Sequence, residues 1–240
     1  MKGHRRHVFF YKILRKLSVP LFNAQMGFSC RKAPELQAPY IVVSNHNTDL
    51  DPALVWQSFP QQMYYVASEH VLRGGFFAWL LKFTSAPIAK IKGSSDAASV
   101  KTMLQRLKDN MNICIFAEGN RSFDGVTCPI PPATGKMIKS SGATLVTYKL
   151  TGGYFTSPRW SMKMRRGKMF GSCVNVYPPQ SLARMTPQQI NKLVADDIFE
   201  DAYATQRVEN IQFNLDAINI TMDFFKVDVV TVICYAITET

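Results

Sequence analysis

The chain has 240 residues, 47% of them hydrophobic, with five cysteines and a formal net charge of +11. Such a composition excludes a disordered segment and suits one large domain, or a domain with appendages, that can bury a sizeable core. Cys30, Cys114, Cys128, Cys173 and Cys234 are odd in number and contain no C-x-x-C pair, which excludes a disulfide framework and a zinc knuckle and points to a reducing, cytosolic setting.

The charge is gathered at the start of the chain. Eight cations (Lys2, Arg5, Arg6, Lys12, Arg15, Lys16, Arg31 and Lys32) precede the first acidic residue, Glu35, leaving +3 for everything after. Phe10, Ile13, Leu14, Leu17 and Leu21 recur at spacings of three and four, with Lys12, Arg15 and Lys16 on other faces. This predicts a basic amphipathic helix within residues 1–34, lying on an anionic membrane surface. A helix packed on the domain's own core with a solvated basic face is the alternative. The cations interrupt the apolar residues and so exclude a secretory signal. No run reaches the 18 or so apolar residues of a spanning helix; 76–83 (FFAWLLKF) and 227–238 (VDVVTVICYAIT) are short and charged. A nucleic-acid partner is not expected, because the basicity is terminal rather than spread over a face interleaved with aromatics.

Apolar, β-branched or aromatic runs at Tyr40–Ser44, 63–67, 113–117, 144–150 and 174–177 read as strands. Between them lie helical patterns. One has Val100, Met103, Leu104, Leu107 and Met111 on one face, with Ser94, Ser95 and Asp96 available as caps. Another opens at Thr186-Pro187-Gln188-Gln189, a capping box with proline in the first turn, and continues through Ile190, Leu193, Val194 and Ile198. The alternation predicts an α/β fold: a mixed, largely parallel central sheet with helices on both faces, and ligand sites at the carboxyl ends of the strands.

At such a strand end stands SNHNTDLDPALV, residues 44–55. Pro52 suits the first turn of a helix and Asp51 its cap. A sharp turn would also bring the Asp51 carboxylate back to the His46 imidazole, fixing its tautomer so that the other ring nitrogen can take a proton. Asn45 and Asp49 suit side-chain bonds within the turn. At this point a base with its orienter and a helix cap beside a structural histidine are both open. A second strand end carries Glu118-Gly119-Asn120-Arg121-Ser122, where Arg121 offers a planar fork for a phosphate and Glu118 an acceptor for polyol hydroxyls; an ion pair in a turn is the bland reading.

Together, N-H-x-x-x-x-D at 45–51 and E-G-x-R-S at 118–122 resemble the glycerolipid acyltransferase family, which includes the bacterial 1-acylglycerol-3-phosphate acyltransferases. Looser blocks at 86–93 (APIAKIKG) and 141–146 (SGATLV) agree, and the resemblance covers about residues 8–205. It implies an acyltransferase domain over 35–207 that passes a fatty acyl group from a thioester, acyl-CoA or acyl carrier protein, to the free hydroxyl of 1-acylglycerol 3-phosphate, giving phosphatidate. Glycerol 3-phosphate or another lysolipid as acceptor, and a non-catalytic peripheral membrane protein, are the alternatives. The resemblance makes His46 the general base and Asp51 its orienter. Arg121 holds the acceptor's phosphate, Glu118, Gly119 and Ser122 shape the glycerol site, and Lys90 stands near the family's second-block arginine. Direct attack by the hydroxyl needs no nucleophilic cysteine, no metal and no tightly bound cofactor, so Cys114 reads as a core residue. The expected location is peripheral, on the cytoplasmic face of the cell membrane.

Three positions depart from the family pattern: Asn120 for threonine, Lys90 for arginine, and Thr147 for proline, which predicts a different loop after that strand. Residues 208–240 match nothing in the pattern.

Overall fold

The computed structural model describes residues 3–90, 97–161 and 165–208. The caps expected at Ser94, Ser95 and Asp96, the run 227–238 and the tail from residue 209 lie outside the described residues. Helix α1 (His4–Met26) ends at Gly27, whose φ of +61° and close approach to the Gly167 carbonyl leave no room for a side chain. There follow β1 (Phe28–Cys30), β2 (Tyr40–Ser44), α2 (Asp51–Ser58), β3 (Met63–Ser68), a 3-10 turn (Glu69–Leu72), α3 (Gly75–Thr84) and β4 (Ile88–Lys90). The second half comprises α4 (Ala97–Lys108), β5 (Asn112–Phe116), α5 (Pro132–Ser141), β6 (Thr144–Thr151), α6 (Gly153–Thr156), β7 (Met169–Tyr177), α7 (Pro179–Ala183), α8 (Pro187–Ile198) and α9 (Ala202–Val208).

Among the described residues seven strands form one sheet in the order β1-β7-β6-β2-β5-β3-β4. Only the β6–β7 pairing is antiparallel. The mixed, largely parallel sheet predicted from the alternation is therefore the one observed. Strand period divides the core into two layers. Ile41, Val43, Ile113, Ile115 and Leu145 face α4, α5 and α8, whereas Tyr40, Val42, Cys114, Val146 and Tyr148 face Leu54, Val55 and Phe59 at α2 and Met26 of α1. All five residues of β2 are buried, as a central parallel strand covered on both faces requires. Thr186 and Gln189 close the capping box in which α8 begins.

Strands β1 and β4, three residues each, are too short to carry a period of two and were not legible as strands. Strand β7 starts five residues before the run at 174–177, because Gly171 and Ser172 interrupt its apolar pattern. Thr147 lies inside β6, at a register shift against β7, with its hydroxyl donating to Asp197 Oδ2 at 2.7 Å. The departure from proline is thus accommodated within a strand and not in a loop.

The charge boundary at residue 34 is not a structural one, since β1 is an edge strand of the sheet and α1 packs on α2. The docked side of α1 consists of polar and aromatic groups. Tyr11 donates to Phe59 O at 3.0 Å, Arg15 to Trp56 O at 3.0 Å and Gln57 O at 2.7 Å, and Ser18 Oγ accepts from Trp56 Nε1 at 3.0 Å. Arg15, expected at the membrane, instead covers the last carbonyls of α2, where a cation also meets the negative end of that helix. Of the predicted apolar stripe, Ile13, Leu17 (66% exposed) and Leu21 look outward, together with Phe9, whereas Phe10 and Leu14 are half-buried. Beside them α3 presents Phe76 (75% exposed), Trp79 and Leu80, joined to α1 through Phe10 against Phe83 and the Arg6 guanidinium 4.2 Å over the Phe83 ring. No helix among the described residues is long and apolar enough to cross a membrane.

Candidate active site

Strands β2 and β5 are parallel neighbours, with Ser44 opposite Phe116, so the segments leaving them emerge side by side at the carboxyl edge of the sheet. Three hydrogen bonds, two of them between backbones, lace them together. Ala117 N–H donates to Ser44 O at 3.1 Å, His46 N–H to Glu118 Oε1 at 2.8 Å, and Ser122 N–H to His46 O at 2.9 Å. The two motifs, some seventy residues apart in sequence, form one structure.

Asp51 begins α2, but its carboxylate turns back onto the preceding loop instead of capping the helix. Its Oδ2 accepts from His46 Nδ1 at 2.9 Å and from the Asn47 and Thr48 amides at 2.6 and 2.9 Å, and its Oδ1 accepts from the Thr48 hydroxyl at 2.7 Å. The group is fully buried and takes four donors at the start of α2. An acceptor at Nδ1 requires that nitrogen to carry the proton, which leaves Nε2 as the basic one. The His46 side chain is 20% exposed, and its ring stacks on Phe116 with centroids 4.3 Å apart. The imidazole is thus fixed in plane and tautomer while part of it meets solvent. The arrangement is an imidazole oriented by a carboxylate.

Glu118 has a different job from the one expected of it. Both oxygens are taken by backbone amides, those of His46 and Cys128 at 2.8 and 2.7 Å, and the residue is 6% exposed. It braces the histidine from behind and does not face a polyol; burial raises its pKa, opposed by those amide bonds. Ser122 is likewise buried, its hydroxyl accepting from Gly125 N–H at 2.8 Å, so it pins the loop. Gly119 turns with φ +71°, and a side chain there would point at the Lys90 ammonium, which lies beside it at the end of β4. Arg121 reaches the rim and pairs with Asp49 Oδ2 at 2.9 Å. His46, Asp51, Arg121, Gly119 and Lys90 are therefore brought together, with Glu118 and Ser122 behind them. Cys114 is wholly buried in the sheet, and burial pushes its thiol well up, out of the range of a nucleophile.

Sequence reasoning missed several contributors. Phe116 was visible only as a member of the apolar run 113–117; its role follows from register. Asn45, expected to bond within the turn, bonds instead across to β6, accepting from Leu150 N–H at 2.8 Å and donating to Leu150 O at 2.7 Å. Glu200, between α8 and α9, accepts from Asn45, Asn47 and Gly152, and no local pattern marks it.

Comparison with known proteins agrees with this geometry. A family model described as Acyltransferase matches residues 28–151. The 1-acyl-sn-glycerol-3-phosphate acyltransferase alpha of Mus musculus is 25% identical over 163 residues, 67% of this chain and 56% of that protein. Its Homo sapiens counterpart is 23% identical over 158 residues, 65% of this chain and 54% of that protein. The chain therefore spans little more than half the length of these relatives. The crystal structure of the 1-acyl-sn-glycerophosphate (LPA) acyltransferase PlsC from Thermotoga maritima shares the fold, with a TM-score of 0.70 at 16% identity, over 87% of this chain and 84% of that one. With its family match covering over half the sequence and both strand-end motifs in register, this chain belongs to the acyltransferase family.

Proposed function

We propose that the chain transfers a fatty acyl group from a thioester donor, acyl-CoA or acyl carrier protein, to the free hydroxyl of 1-acylglycerol 3-phosphate, giving phosphatidate. The observation that carries this reading is the lacing of the two strand-end motifs together, with a tautomer-fixed His46 in one and Arg121, paired to Asp49 of the histidine loop, in the other. In the reaction, His46 Nε2 takes the hydroxyl proton as the acceptor oxygen attacks the thioester carbon. The tetrahedral intermediate collapses, the C–S bond breaks, and the imidazolium returns the proton to the leaving thiolate. Asp51 stabilises the imidazolium in between. Arg121 meets the acceptor's phosphate through its planar fork, and Lys90 adds a point charge. The Asp49 carboxylate, exposed on the solvent side of Arg121, occupies part of that fork until a phosphate arrives.

The acceptor's acyl chain keeps it in a bilayer, so the enzyme works at the interface, peripheral on the cytoplasmic face of the cell membrane. The outward apolar stripe of α1 and the exposed aromatics of α3 support this, with Lys12 and Lys16 free to meet anionic head groups.

The test is an assay of purified protein with labelled acyl-CoA, and separately acyl carrier protein, against 1-acylglycerol 3-phosphate, glycerol 3-phosphate and an unphosphorylated monoacylglycerol. The expected product is phosphatidate, and His46→Ala lowers turnover by at least the ~10²- to 10⁴-fold of a general base. Arg121→Lys raises KM for the phosphorylated acceptor and leaves that for the monoacylglycerol alone. Preference for glycerol 3-phosphate would move the acceptor assignment; vesicle binding without any transfer would leave a non-catalytic membrane protein.

A further inference from the structure

Four consecutive residues, 45–48, are held by three buried carboxylates. Two belong to the motifs already described: Asp51 takes the Asn47 and Thr48 amides and the imidazole, and Glu118 takes the His46 amide. The third is Glu200, which is 1% exposed and comes from the far end of the described chain. Its Oε2 accepts from the side-chain amides of Asn45 at 3.1 Å and Asn47 at 2.5 Å, the two neighbours of His46. Its Oε1 accepts from Gly152 N–H at 2.9 Å, at the end of β6. The backbone around Glu200 is laced to the loop that follows the second motif. Its N–H donates to Thr127 Oγ1 at 2.8 Å, its carbonyl accepts from Thr127 N–H at 2.9 Å, and Ala202 N–H donates to Gly125 O at 2.9 Å. One side chain and its backbone therefore touch the histidine loop, the arginine loop and the end of β6.

We infer that Glu200 is a positioning residue of the acyl-transfer site, acting through Asn45 and Asn47 to hold the His46 backbone where its imidazole meets Asp51. This rests on the reading given under Proposed function. The chemistry of the donor set specifies the state required. Three N–H groups converge on the two oxygens, so the ionised carboxylate satisfies them all, whereas a protonated one presents a hydrogen where donors already point. The groups facing it are Asn45 and Asn47 before α2, Asp51 at the start of α2, Lys149 and Gly152 at the end of β6, and Thr127. Burial is the largest influence and raises its pKa to about 7; the bonds from Asn47 and Gly152 and the charge of Lys149 lower it, while Asp51 raises it. The loop is then held above about pH 7 and released as the pH falls through that range.

Glu200→Gln keeps the volume and removes the charge. One end of the amide still accepts, but its –NH2 must face a donor. The expected result is a fall in kcat of roughly ten- to a hundredfold with both KM values within about threefold, and an acid limb of the kcat profile reduced from two ionising groups to one. Amide hydrogens of Asn47 and Thr48 exchange at least about tenfold faster. A brace with no bearing on the site would lower the melting temperature and leave kcat of the folded fraction and the order of the acid limb untouched; that outcome, or unchanged exchange at Asn47 and Thr48, overturns the assignment. Should Glu200→Gln not fold, Asn47→Ala leaves the carboxylate and removes its shortest bond. Faster exchange at His46 and Thr48 in that variant supports the inference, and wild-type exchange there refutes it. Exchange needs no substrate, so if the wild-type protein transfers no acyl group, the proposed function fails while the positioning role is still decided.

Discussion

Between Asn45 and Asp51 the chain buries Asn45, Asn47, Thr48 and Asp51, and every one of those side chains is bonded; along α1 it leaves Phe9, Ile13, Leu17 and Leu21 outside and docks through Tyr11, Arg15 and Ser18. One segment keeps polar groups from water and the other keeps apolar groups in it. Each is costly for an isolated fold: about 1–3 kcal/mol for a buried polar group that loses its partner, and about 25 cal/mol for each Å² of apolar surface left wet. The first cost is tolerated because it fixes the geometry of an imidazole. The second is recovered only when another apolar phase covers the stripe, as the bilayer of the proposed function would.

The sharpest way to break the first half of the comparison is Asp51→Asn. Asparagine keeps the shape but has one acceptor end where the carboxylate has two: turned one way, its –NH2 meets the Nδ1–H and the Asn47 and Thr48 amides and drives the ring toward the tautomer with Nε2 protonated, and turned the other way, the charge that stabilises an imidazolium is still lost. A fall in kcat on the order of 10²- to 10⁴-fold is expected, larger than the effect of Glu200→Gln because Asp51 touches the base itself. Steady-state kinetics together with the imidazole nitrogen shifts check it. A variant with near-normal turnover and an unchanged tautomer would remove Asp51 from its role.

The second half is tested by charging the outward stripe. Leu17→Glu with Phe76→Glu leaves the folded monomer almost untouched, since exposed positions away from special features move stability by about 0.5 kcal/mol or less. Binding to anionic vesicles is expected to fall about a hundredfold, because burying two large side chains is worth a few kcal/mol in total. Turnover on bilayer-borne acceptor drops with it, while a short-chain, water-soluble acceptor is used as before. Undiminished sedimentation with vesicles would mean that this face is not the one that meets the membrane.

The two regions were unequally legible in the sequence. The motifs at 45–51 and 118–122 are local spacings, and their resemblance to the family grouped His46, Asp51 and Arg121 before any coordinates; the parallel pairing of β2 with β5 then lays the two tips side by side. The direction of a side chain is not a local property. Glu118 has the composition of a substrate ligand, yet two backbone amides claim it. Glu200 meets Asn45 across 155 positions, a contact that no periodicity encodes. In α1 the period of the apolar residues was correct, but an apolar stripe is ordinarily the docked one. Here hydrogen bonds from Tyr11, Arg15 and Trp56 dock the opposite side, and no spacing rule separates those polar residues from a solvated face.

The smallest expected effect lies where the two regions meet, at the rim. Asp49 pairs with Arg121 at 2.9 Å while its own side chain is 78% exposed, so the pair belongs to the class of surface ion pairs. Such pairs are worth roughly 0–1 kcal/mol, which bounds the consequence of releasing the guanidinium at about fivefold. Asp49→Asn removes both the competing partner and a negative charge that repels an arriving phosphate. KM for 1-acylglycerol 3-phosphate is therefore expected to fall by up to about fivefold, with kcat moving less. The gain should shrink at high salt, where both the repulsion and the ion pair are screened, and vanish for an unphosphorylated acceptor. A rise in KM shared by all acceptors would instead mean that the Asp49 carboxylate itself grips the glycerol hydroxyls, and that the phosphate lies nearer Lys90 than Arg121.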